Sequence, residues 1–140
     1  MVWAVLVVVL GGVAVAVQAP INAALGRELG AVFLAAAVSS GVGFLVLAGV
    51  SVISGQSGAI LKLGAVPPWT LAGGALGAVY VLSAIWGVSA LGVVTMVAAL
   101  VLGQMAAAMV IDATGILGMA AREVSLQRIA AAALVAAGLI

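Results

Sequence analysis

The side chains able to do chemistry in this sequence are few, and most of them stand inside long apolar runs. Gln18 and Asn22 lie four residues apart in the first run, so on a helix both project from one face about a turn apart. Pro20 between them lacks an N–H and crowds the carbonyl of Ala16, which is expected to bend the helix and free backbone acceptors beside the two amides. A group of neutral donors and acceptors in hydrocarbon either binds a polar solute or clamps one helix to another, the clamp being worth about 0.6 kcal/mol on average. Further along, Gly73, Gly77, Tyr80 and Ala84 fall on one helical stripe, which sets a phenol over a glycine-lined groove. Gln104 stands near the middle of the fourth run and reads either as a cavity residue or as another clamp. Asp112 most directly abuts an apolar run. Desolvated there, a carboxyl holds and exchanges a proton; at a solvated helix end it pairs instead with Arg122 or Arg128.

Most other chemistry is excluded by what the chain lacks. It has no cysteine and no histidine, hence no disulfide, no thiol nucleophile, no zinc site built from those residues and no imidazole base. No cofactor and no metal is implied. Ser, Thr or Tyr without an activating base nearby gives a membrane enzyme little support. A net charge of +1 offers no basic stripe to nucleic acid.

These groups are positioned by an unusual scaffold. The chain has 140 residues, of which 68% are apolar and only 5% charged, against about 25% charged in ordinary soluble domains. Seven charged side chains, four basic and three acidic, cannot cover the surface that a globule of this size exposes. The solvent must be lipid, and the continuously apolar runs exclude the alternating pattern of a membrane barrel. The expected fold is therefore all-α, a single transmembrane domain over residues 1–140.

Crossing the hydrocarbon takes about 20 residues of helix, and five segments are read. They cover about Val2–Ala24, Ala31–Ile53, Pro67–Ser89, Val93–Ile111 and Leu126–Ile140. Pro67-Pro68-Trp69 marks the third start, where proline suits a first helical turn, and Ser125 is an expected N-cap for the fifth. The fifth is the shortest, since fifteen residues make about 22 Å of helix. The first segment lacks the positive flank of a cleaved leader and is read as retained.

With five crossings, Lys62, Arg122 and Arg128 share the side of the N-terminus and Arg27 stands alone on the other. Positive loops stay cytoplasmic, so N-in and C-out is favoured, by a margin small enough to leave insertion in both orientations open. Transporters are commonly built from two copies of one unit in opposite orientation. Small residues spaced by four supply packing surfaces: Gly73 and Gly77 in the third helix, Ala132 and Ala136, and Ala133 and Ala137, in the fifth. Trp69 and Trp86 read as interfacial anchors near the two ends of the third segment, and Arg27-Glu28 as a solvated loop pair.

Taken in order, these residues resemble the small five-helix branch of the drug/metabolite transporter superfamily, the YdcZ-type inner-membrane exporters of bacteria. The resemblance is carried by Gln18-Ala19-Pro20-Ile21-Asn22 with Leu25-Gly26-Arg27, and by Pro68-Trp69 with Gly73-Gly74 and Gly77 to Tyr80. It continues through Leu102-Gly103-Gln104, Ile111-Asp112, Gly115 to Gly118 and Ser125 to Arg128, so that it covers nearly the whole chain. It implies a half-transporter that pairs in an inverted arrangement, as a homodimer or with a paralogue, in the bacterial inner membrane. Gln18, Asn22, Tyr80 and Gln104 would line a shared pathway for a small organic solute, and the last helix would help the pairing. The four-helix multidrug exporters of that superfamily use a membrane-embedded glutamate in the first helix. Here the helix carries two neutral amides, so proton coupling would fall to Asp112 or be absent. The rival reading, from the residues themselves, is a noncatalytic membrane subunit that packs against a larger partner.

Overall fold

The computed structural model describes residues 2–139, which are helical apart from short connections and contain no strand among them. Five α-helices follow in order: α1 (Val2–Leu29), α2 (Val32–Ile53), α3 (Ala72–Leu91), α4 (Val93–Thr114) and α5 (Leu126–Ala137). Short 3-10 segments at Ser57–Ala65, Pro68–Leu71 and Ile116–Gly118 join them. The chain forms two compact units, Met1–Ser89 and Ala90–Ile140.

Four helical stretches are long and apolar enough to cross a membrane: Val2–Leu29, Val32–Ile53, Pro68–Leu91 and Val93–Thr114. At 1.5 Å per residue, α2 and α4 are each about 33 Å long, matched to a hydrocarbon core of about 30 Å. The fifth segment is shorter than the sequence suggests. Its helix closes at Ala137, and Ile140 lies outside the described residues. Twelve residues give about 18 Å, short of the core thickness. The helix does not begin earlier because Ser125 is extended, with φ −72° and ψ 149°.

In the first unit, α1 runs unbroken through Pro20. The missing proline N–H leaves the Ala16 carbonyl without its helical donor, but the apolar run carries the helix past it. The turn into α2 is a Schellman closure: the Ala31 N–H donates to the Gly26 carbonyl at 3.1 Å and the Gly30 N–H to the Arg27 carbonyl at 3.2 Å. That closure needs a left-handed residue, and Gly30 supplies it at φ 61°. So short a connection folds α2 back on α1 as an αα-hairpin.

The hairpin is held by small residues. Ala19, Ala23 and Gly26 of α1 are buried, as are Ala35 and Ala36 of α2, so the two backbones approach closely. Helix α3 joins through a longer arm: Ile85 is only 2% exposed and packs with Ala23 and Ala36. In the second unit α5 lies along α4, with Ala132 buried and Ala136 half-buried. Elsewhere the spans are uncovered, with between 6% and 17% of each apolar window buried inside the chain. A helix that is apolar all round and exposed all round belongs in lipid.

Candidate functional site

Asn22 is the one buried polar residue among those described, 5% exposed. Its place follows from helix geometry. Ala19, Asn22, Ala23 and Gly26 recur at the spacing of one helical face, and this face meets α2 and α3. A Cβ built on Gly26 would lie 3.7 Å from the Ala35 Cβ, 3.8 Å from the Val32 Cα and 3.9 Å from Ile85 Cγ2. Asn22, one turn before Gly26, therefore stands where three helices converge. No side-chain hydrogen bond joins its amide to another described residue. Its amide donors and acceptors are thus unspent within an apolar seam.

Gln18, expected beside it, is exposed. At 100° per residue Gln18 sits about 90° from the centre of the buried stripe and Asn22 about 50°. One amide is thus drawn into the seam and the other left outside it.

Tyr80 is half-buried on α3, five residues before Ile85 and so about 7.5 Å from it along the axis. The stripe on which it lies changes character along its length. Ala84 is buried, while Gly73 and Gly77 face open space, with nothing within 4 Å of a Cβ built on either. Within the first unit these two glycines are not what packs the helices together. That work falls to Ala19, Ala23 and Gly26, whose signal in the sequence was four-residue spacing, Ala19 to Ala23 and Asn22 to Gly26. In α5 it is Ala132 that is buried, whereas Ala133 and Ala137 are exposed.

In the second unit Gln104 is exposed on α4. Asp112, near the end of that helix, accepts a hydrogen bond from Arg128 Nη1 to its Oδ2 at 2.7 Å, which is also an ion pair. The Arg122 N–H donates to the Asp112 carbonyl at 2.7 Å, folding the connection back on the helix end. Of the two arginine partners open to Asp112, Arg128 takes the side chain and Arg122 binds the main chain. Two hydroxyls near the span ends are satisfied locally: Ser89 Oγ donates to the Ile85 carbonyl at 3.2 Å and Thr114 Oγ1 to the Val110 carbonyl at 2.7 Å. No group of acidic, histidine or cysteine side chains among the described residues could hold a metal ion.

Four lipid-length helices, with carboxylates confined to helix ends and connections, define a polytopic helical membrane protein. The chain belongs to the family described as "Putative inner membrane exporter, YdcZ", whose model matches residues 3–140. An inner-membrane family agrees with the lipid-exposed spans. No curated protein and no solved structure matches the chain.

Proposed function

We propose that the chain is a half-transporter for small organic solutes, active as an inverted dimer by alternating access, with Gln18, Asn22, Tyr80 and Gln104 lining the pathway. The observation that carries this reading is Asn22: only 5% exposed, with a side-chain amide that makes no hydrogen bond among the described residues. A structural clamp would show its partner. Gln18 and Gln104 are exposed in the single chain, and amides facing hydrocarbon are costly. A second copy laid against these faces would shelter them, and inverted pairing is the arrangement by which one short chain supplies both halves of a pathway. The small-residue faces left open at Gly73, Gly77, Ala133 and Ala137 are assigned to that pairing. We assign Asp112 to its ion pair with Arg128, which joins α4 to α5, and not to proton exchange. Solute movement then runs without a carboxylate inside the spans.

The test is flux of a fluorescent organic probe, ethidium, from liposomes holding the purified protein, alongside a panel of solutes screened for thermal stabilisation. A ligand that binds only the folded form raises its stability by mass action. Saturable flux is expected, reduced about tenfold or more by Asn22→Leu, the change that one lost charge-neutral binding contact of about 1.4 kcal/mol brings. Flux unchanged in Gln18→Ala, Asn22→Leu and Tyr80→Ala together rejects the site. Absence of flux for every solute, with a stoichiometric partner retained on mild solubilisation, supports the subunit reading instead.

A further inference from the structure

Asn22 is not the only polar group at its level of the α1–α2 hairpin. The two helices run antiparallel from the Gly30 turn, and Gly26 against Ala35 fixes their register, the Ala35 Cβ lying 3.7 Å from a Cβ built on Gly26. One turn further from the connection come Asn22 on α1 and Ser39 on α2. Ser39 follows the buried Ala35 and Ala36 by four and three residues, so it belongs to the face of α2 that meets α1, and it is half-buried there. A hydroxyl on a helix can bond back to the carbonyl four residues earlier, as those of Ser54, Ser89 and Thr114 do. The Ser39 hydroxyl makes no hydrogen bond among the described residues, either to its own helix or to Asn22. Two unspent polar groups thus share one level of a seam whose core is Ala23, Ala36 and Ile85.

We infer that Ser39 belongs to the solute site, and that Asn22 and Ser39 together select an uncharged group carrying both a donor and an acceptor, of which a carboxamide is the simplest. The inference rests on the transporter reading and names the substrate chemistry of the same site. An asparagine amide offers two donors and one acceptor oxygen, and a serine hydroxyl donates one hydrogen bond and accepts others. A solute carboxamide matches both, its N–H donating to Asn22 Oδ1 and its carbonyl accepting from Ser39 Oγ. Charge disfavours the ionised alternatives. No charged residue stands between Glu28 and Lys62 or between Lys62 and Asp112, so α2 and α3 bring none to this level. On α1 the nearest are Arg27 and Glu28, beyond Gly26 and both exposed. An inverted second copy brings the same uncharged spans. An ion in the seam would leave water with no counter-charge to meet it, a cost that a neutral solute does not bear.

Three probes of one shape separate charge from size: benzamide, the benzamidinium cation and the benzoate anion, titrated at pH 7 into the purified protein by calorimetry. Benzamide is expected to bind about tenfold or more tighter than either ion. Ser39→Ala should weaken benzamide about fivefold, the change that one lost neutral hydrogen bond brings, and leave benzamidinium unchanged, since an amidinium has no acceptor for the hydroxyl. A serine that only held the helices would weaken all probes alike, and that result overturns the inference. Asn22→Asp, which puts a carboxyl at the same level, should turn the preference toward benzamidinium. Ethidium flux, measured on the same preparation, tests the transporter reading separately. Flux with no preference for benzamide, or with benzamide binding untouched by Ser39→Ala, overturns the inference and leaves that reading standing. No flux and no binding of any probe overturns both.

Discussion

Gly26 is the residue on which the three-helix seam of the first unit turns. The structure allows one more carbon there and no more. A Cβ would meet Ala35, Val32 and Ile85 at 3.7, 3.8 and 3.9 Å, which is ordinary contact. Gly26→Ala thus adds contacts without displacement and removes the backbone freedom of a helical glycine, a gain of about 0.5–1 kcal/mol. Gly26→Leu extends by further bonds of about 1.5 Å each into atoms already in contact. Forcing methylenes into a filled site costs about 1–3 kcal/mol, by off-rotamer side chains and separation of the backbones. Reversible unfolding by SDS in mixed micelles, followed by circular dichroism, measures both. The leucine variant should unfold at clearly lower denaturant and the alanine variant at equal or higher. Gly77→Leu, inside α3 and facing open space, should not lower the stability of the single chain and should gain the same helical term of about 0.5–1 kcal/mol. If Gly26→Leu matches the parent, or if alanine damages as much as leucine, the packing described for α1, α2 and α3 is wrong.

Other perturbations separate the remaining elements. Gly115 closes α4 at φ 65°, and a Cβ there would meet the Met119 carbonyl oxygen at 3.1 Å and the Ala121 Cβ at 3.2 Å. Gly115→Ala should therefore cost more than about 1 kcal/mol by the same unfolding assay, whereas Leu117→Gly, at a non-glycine φ of 61°, should stabilise by about 1 kcal/mol. The Asp112 and Arg128 side chains are 28% and 46% exposed, so a double-mutant cycle with Asp112→Ala and Arg128→Ala should give a coupling under about 1 kcal/mol that shrinks in 1 M salt. Asp112→Asn should retain solute flux; loss of flux with the fold intact would restore the carboxyl to the pathway. Glu28→Cys and Gly64→Cys, at opposite ends of α2, should each label from one side of the membrane if insertion is fixed, and each from both sides if the chain inserts in two orientations.

The crossing segments were legible because lipid makes one demand of every residue in them, and the breaks at Gly30-Ala31, Pro67-Pro68 and Gly92 are the points where the backbone must turn. What could not be read was rotation about the axis. A soluble helix declares its inward face by polarity, but α1 to α4 are apolar all round, so only residue size marks a contact face. Size is ambiguous when small residues abound. Gly73-x-x-x-Gly77 looked like a seam and faces open space, while Ala19, Ala23 and Gly26 make one. The same ambiguity hid the separation of Gln18 from Asn22, since four residues mark a shared face without saying where that face ends. Asp112 was easier, because a charge at a helix end has few partners within reach, and of the two arginines weighed the ion pair is with Arg128.

The amides carry a physical constraint that reaches beyond one chain. In water an exposed glutamine costs nothing, but Gln18 and Gln104 lie on membrane-length helices with their side chains outside the packed parts of the chain. Leaving such a group unpaired costs roughly 1–3 kcal/mol on the mutational scale, comparable with the whole effect of a typical core substitution. Two remedies exist in a bilayer: snorkelling to the interface, or cover by another protein surface. Glutamine is too short to snorkel from mid-span, where Gln104 stands, twelve residues into a helix of 22. Cover is what the proposed second copy would supply: sealed completely, the amides would make a rigid clamp, and with a hydrated gap they would make a passage. Asn22, buried yet without a side-chain hydrogen bond among the described residues, is what favours a passage over a clamp in the proposed half-transporter.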